Sequence, residues 1–143
     1  MKIIVATDGS RGGTAAVRFG ARLAACDPGA ELVLLTIGGR PALPRHSGSA
    51  PSSADDVLSD AAQQVQTLGV RDRCRLVTLR TRREIPEAIS AFADRLHADL
   101  VVVGSEGRDT LAEWVVGGVA LRLIYVSKRP VLVVRPTSRR RAA

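Results

Sequence analysis

Apolar residues fall along this chain in two rhythms. Five short runs, Lys2–Thr7, Glu31–Ile37, Cys74–Leu79, Asp99–Gly104 and Pro130–Arg135, are rich in Val, Ile and Leu and read as strands. The first, second, fourth and fifth are continuously apolar rather than alternating, the mark of strands buried on both faces of a parallel sheet. Arg75, Thr78 and Arg80 break up the third, which suits a sheet edge, where charge also blocks unwanted pairing. Between the runs the pattern is helical. Thr14–Ala25 sets Ala15, Val17, Ala21, Leu23 and Ala24 around an Arg18/Arg22 face. Ser53–Leu68 aligns Val57, Leu58, Ala61, Ala62, Val65 and Leu68 in one stripe, with Ser52 or Ser53 as cap and Asp55 and Asp56 at the positive end of the helix dipole. A third helix aligns Ile85, Ala88, Ile89, Phe92, Ala93 and Leu96, and a fourth runs from about Val119 to Ser127, with Pro130 beyond its end.

Strands alternating with helices predict an α/β domain: an open parallel sheet with right-handed crossovers and helices on both faces. The domain is expected to span residues 1–136, with 137–143 a disordered basic tail. The Gly-, Pro- and Ser-rich segment Gly38–Ser52 is the one long connection, expected to be a mobile loop over the binding crevice.

Composition refines this picture. At 143 residues, 45% of them apolar, the chain is one globular domain, and with only 3% aromatic residues Ala, Val, Leu and Ile must fill the core. No apolar run reaches membrane length, and the stretch Ile3–Ala6 meets Asp8 too soon for a signal peptide, so a cytoplasmic location is expected. Cys26 and Cys74 lie far apart with no metal-ligand spacing, so they read as two small buried thiols. The net charge of +7 is uneven. Residues 71–84 carry six arginines against Asp72 and Glu84, residues 135–143 carry four more, and the remainder is near neutral. No nucleic-acid-binding motif or aromatic stacking platform accompanies these clusters, so they read as solvated faces rather than a nucleic-acid surface.

Chemistry is expected beyond the carboxyl ends of the strands, where strand order reverses. Two strand ends carry unusual turns. One is Asp8-Gly9-Ser10, followed by Gly12 and Gly13. The other is Gly104-Ser105-Glu106-Gly107, followed by Gly117-Gly118 at the start of the last helix. Glycines let a backbone approach a phosphate and adopt positive φ, which is the expectation for Gly117, and successive N–H groups then form an anion-binding concavity. The same glycines would equally make tight turns. Asp8 either positions a metal-bound phosphate or caps Ser10 and the following helix. His46, His97 and Trp114 read as loop, helix-end and packing residues.

The spacing Gly104-x2-Gly107-x9-Gly117, after a Val-Val-Val strand and before a helix leading to Pro130-Val-Leu-Val-Val, resembles the nucleotide-binding signature of the universal stress protein family. Lys2-Ile-Ile-Val-Ala-Thr-Asp-Gly-Ser10 resembles that family's opening strand, and Ala98-Asp-Leu-Val-Val-Val-Gly-Ser105 its fourth. The resemblance runs from Lys2 to Pro136 and is weakest across 38–83. It implies the strand order 3-2-1-4-5, a homodimer, and a stress-response regulator that binds ATP or a related adenine nucleotide with little turnover. It implies further that Ala6, Thr7, Asp8 and the backbone near Ile37 hold the base end. Gly104, Ser105, Gly107, Gly117, Gly118 and Val119 would hold the phosphates, with Mg or Mn arriving on them.

Three positions depart from the family pattern. Gly118 replaces a hydroxyl residue, Glu106 stands where a basic residue is common, and Arg83 and Ile85 replace the usual Gly and Pro before the third helix. The first two weaken phosphate binding, while Arg108 could offset Glu106. A dimeric interaction protein of the same fold with an empty pocket is the alternative. An enzyme activating its substrate with ATP is disfavoured, since no paired base or nucleophile stands near the turns. The last strand, apolar on both faces, is expected at a sheet edge, covered by the same strand of a second subunit.

Overall fold

The computed structural model describes residues 1–38, 53–106 and 116–137. The expected loop over 39–52, with His46, the residues Gly107, Arg108 and Trp114, and the tail from 138 onward lie outside the described residues. The elements are β1 (Lys2–Ala6), α1 (Arg11–Cys26), β2 (Glu31–Gly38), α2 (Ala54–Gln66), a 3-10 turn (Arg71–Arg73), β3 (Cys74–Arg80), α3 (Ile85–Arg95), β4 (Leu100–Gly104), α4 (Gly118–Val126) and β5 (Val131–Val134). The strands form one sheet in the order β3-β2-β1-β4-β5, every pair parallel.

The continuous apolar runs work because successive side chains feed opposite faces. Ile3, Val5, Leu32, Leu34 and Val102 pack with Ala16, Val17, Ala21 and Ala24 of α1 and Leu58, Ala61 and Val65 of α2. Ile4, Val33, Leu35, Val101 and Val103 pack on the other face with Ile89, Phe92 and Ala93 of α3 and Ala120 and Leu123 of α4. β3 and β5 are the edges, and all four residues of β5 are only half-buried.

Local chemistry sets the helix ends. At α2 the hydroxyl of Ser53 accepts from the Asp56 N–H (3.1 Å) while the Asp56 carboxylate accepts from the Ser53 N–H (3.0 Å), a reciprocal capping box. These bonds hold the Asp56 carboxyl below its usual 3.8. The cap is therefore present at neutral pH and fades as pH falls through that lowered value. α3 carries Pro86 in its first turn, where a missing N–H costs nothing. It ends with His97 at φ 51, whose N–H bonds the Asp94 carbonyl (3.1 Å) while that of Ala98 bonds Ala93 (3.0 Å). That left-handed closure favours glycine. His97→Gly is therefore expected to raise stability by about 0.5–1 kcal/mol in a thermal melt.

Arg73, within the basic segment, proves to be structural. One guanidinium nitrogen lies 2.7 Å from the Asp27 carbonyl, 2.9 Å from Ala30, 3.1 Å from Pro28 and 3.3 Å from Ala24, so the charge closes the negative end of α1. Arg75, Arg80, Arg82 and Arg83 are exposed, as a solvated face requires. The two-buried-thiols expectation is corrected: Cys26 is exposed and Cys74 half-buried. Cys26 follows Ala24 by two residues, which turns it roughly 200° from the buried stripe of α1. Burial pushes the Cys74 thiol up, with Arg71 partly opposing. Among the described residues no helix is long and apolar enough to cross a membrane.

Candidate functional site

β1 lies between β2 and β4, so the chain leaves it toward one side of the sheet first and the other later. Strand order reverses there, and the turns after β1 and β4 meet across the resulting crevice. Thr7 continues the sheet through its N–H to the Leu35 carbonyl (2.9 Å) and is buried. Its hydroxyl accepts from the Gly9 N–H (3.2 Å), and Gly9 takes φ 76, the left-handed turn that glycine permits. The Asp8 carboxylate accepts from the Ser10 N–H (2.9 Å), so of its two expected roles the local cap is present. Ser10 in turn caps α1, accepting from the Gly13 N–H (3.1 Å).

That cap starts α1 at Arg11, three residues ahead of the expected Thr14. Gly12 and Gly13 therefore sit inside the first helical turn, which costs up to about 1 kcal/mol each in helix propensity. Close approach explains them. A Cβ on Gly12 would stand 3.0 Å from the backbone nitrogen of Glu106 and closer still to its carbonyl oxygen. A Cβ on Gly13 would lie 2.6 Å from the Thr7 hydroxyl. Gly104 meets Gly12 in the same way, its Cβ falling 2.8 Å from the Gly12 Cα and within contact distance of the Gly12 carbonyl. At Gly104, then, packing of helix on strand demands glycine whatever binds beyond it.

The β4 turn is fastened on two sides. The buried Ser105 donates its N–H to the Val134 carbonyl at the end of β5 (2.8 Å), and its own carbonyl accepts from the Gly117 N–H (2.6 Å). The Glu106 carbonyl accepts from the Ser10 hydroxyl (3.3 Å). Gly117 is the N-cap of α4 with φ −58, so the expectation of positive φ there is corrected: an extended cap geometry open to any residue suffices. Among the described residues no side chain caps α4, and its first N–H groups have no intrahelical acceptor. Gly118 and Val119 are exposed in that turn, and a Cβ on Gly118 would meet nothing within 4 Å.

Where a base was expected, Ala6 and Ile37 are half-buried and border the α3/α4 core, together with Val116, a residue the sequence did not single out. They leave apolar edges at the mouth of the crevice. The structure thus brings together Ala6, Thr7, Asp8, Gly104, Ser105, Gly117, Gly118 and Val119, with Ile37 one strand away on β2; Gly107 lies outside the described residues. Ser10 and Gly12 were missed as contributors. The signal was a hydroxyl and a glycine in the first turn of a helix facing another glycine turn, legible only once β1 and β4 are neighbours.

A protein-family model described as the universal stress protein family matches residues 1–135. The chain belongs to the universal stress protein family. The fold agrees. A universal stress protein solved in complex with cAMP is 26% identical with a TM-score of 0.71, covering 96% of this chain and 98% of its own. The universal stress protein from Archaeoglobus fulgidus in complex with dAMP is 25% identical with a TM-score of 0.66, covering 93% and 96%. A family protein from Arabidopsis thaliana with AMP bound, 14% identical at a TM-score of 0.67 over 96% and 93%, shares the fold. No curated protein sequence matches the chain.

Proposed function

We propose that this universal stress protein family member binds an adenine nucleotide, ATP foremost, in the β1/β4 crevice with little or no turnover, and acts as a cytoplasmic stress-response regulator. The observation that carries the reading is the bond joining Ser105 to Gly117, which sets the β4 turn against the start of α4, where no side chain among the described residues caps the first N–H groups. Orphan N–H groups at a helix start attract anions. Ala6, Ile37 and Val116 offer the apolar edge that a purine face needs. The family proteins solved with cAMP and dAMP support the ligand class.

Among the described residues no group of three His, Cys, Asp or Glu side chains could hold a metal ion. A Mg or Mn ion would come on the phosphates of a triphosphate, with Asp8 the carboxylate at the adjoining turn. Calorimetric titration with ATP, ADP, AMP and cAMP tests the reading. Gly118→Ser, which enters open space, is expected to add a hydroxyl donor and raise ATP affinity by roughly threefold to a hundredfold. Glu106→Arg is expected to raise it too, less so at high salt. Equal affinity in the parent and both variants contradicts the placement of the phosphates.

The assembly reading is a homodimer. β5 leaves one edge unpaired, and beside it α4 exposes Leu121 (48%), Ile124 (50%) and Tyr125 (80%). α4 and the turn after it are tied to α3 by Arg122 on Glu87 (2.9 Å) and Arg129 on Asp94 (2.9 Å). An apolar edge strand with an apolar helix face beside it fits a second copy about a two-fold axis, pairing β5 with β5 antiparallel.

A further inference from the structure

We propose that Ser10 is a positioning residue for nucleotide binding: its hydroxyl, donating to the Glu106 carbonyl, fixes the direction of that carbonyl so that it is turned away from an entering anion. This inference rests on the nucleotide reading above. Ser10 is placed to do more than cap. The same oxygen accepts from the Gly13 N–H (3.1 Å) and donates to Glu106 of the facing turn (3.3 Å), a partner 96 residues away. Gly12 supplies the second half of the clamp, since its missing Cβ is the space that the Glu106 carbonyl occupies.

Carbonyl direction is what matters to an anion. A planar trans peptide points its carbonyl and its N–H to opposite sides, so a loop offers an anion either negative or positive partial charge according to which way each peptide is turned. Among the described residues, Ser105 and Glu106 are the two whose carbonyls follow β4. One is taken by the Gly117 N–H and the other by the Ser10 hydroxyl, so neither is left to face a phosphate. Without Ser10, the Glu106 peptide loses the donor that fixes its direction and is free to swing its oxygen toward the crevice. A carboxylate side chain already stands at that residue, so its carbonyl orientation counts for more here than it would beside a basic side chain.

Two substitutions separate this role from capping. Glycine is a tolerated N-cap, so Ser10→Gly is expected to leave the melting temperature within about 2 °C of the parent. It removes the hydroxyl without adding charge, and ATP affinity is expected to fall about tenfold, the loss of one hydrogen bond's worth of orientation. Ser10→Thr keeps the hydroxyl and is expected to restore affinity. Amide hydrogen exchange of the unliganded protein reads the clamp itself: Ser105 and Gly117 are expected to exchange faster in Ser10→Gly, while Ala21 and Ala24 in the body of α1 do not. Unchanged exchange at Ser105 and Gly117 overturns the clamp. Faster exchange with ATP affinity equal to the parent's overturns the positioning role alone. A parent that binds no nucleotide in the same titration overturns the nucleotide reading, and this inference with it.

Discussion

Gly104→Ala is expected to destabilise the protein by about 3 kcal/mol, lowering its melting temperature by about 10 °C, and to abolish nucleotide binding. The added methyl would strike backbone atoms of Gly12, not a side chain that could rotate aside. Relief requires α1 to withdraw from β4 and to carry Ser10 and the β1 turn with it. Both walls of the crevice would then part together. Gly118→Ala is the control. Its methyl meets open space in the first turn of α4, so it is expected to leave stability equal or slightly higher. Circular dichroism melts of the two variants check this. Similar melting temperatures for both would contradict the packing described for Gly12 and Gly104.

A second large effect is expected at the assembly surface. Replacing Ile124 and Tyr125 together with glutamate puts two charges on the exposed face of α4 and should convert the proposed dimer to monomer at micromolar concentration. Both side chains point away from the α3/α4 core, so the monomer should retain its fold. The expected shift in dimer dissociation constant is at least a hundredfold, since a central aromatic commonly supplies about 2 kcal/mol or more and buried like charges oppose association. Sedimentation velocity of parent and variant reads the result. A parent that sediments as a monomer contradicts the β5/α4 interface outright, and a variant that remains dimeric places the interface elsewhere.

Much of the fold was legible in the residues because its rules are short-ranged. A short β-branched run such as Val101-Val-Val103 reads as a strand with both faces covered, and the pair Ser53 and Asp56 announces a helix start through contacts three residues apart. The half-broken run around Arg75 to Arg80 marked the edge strand, and β3 is an edge. The strand order and the pocket residues came from family resemblance, not from the local pattern. Errors arose where distant segments decide a residue's role. Gly12 was read as part of the turn before α1, because the strand end that makes a glycine necessary there lies more than ninety residues later. Arg73 looked like one charge in a basic patch, and only the fold brings it onto carbonyls 43 to 49 residues earlier. Cys26 was assigned by residue type rather than by its position on the helix, and position won. At the site, glycines and Asp8 stood out by composition, whereas Ser10 acts through a bond between two turns that no local motif encodes.

The account stands most directly on one titration. Purified protein, stripped of bound small molecules by denaturation and refolding, is titrated with ATP by calorimetry, alongside Gly104→Ala and Gly118→Ser. The account predicts saturable binding of one ATP per chain, none in Gly104→Ala and tighter binding in Gly118→Ser. The absence of heat or saturation with ATP, AMP and cAMP alike, in a protein shown to be folded, would contradict it.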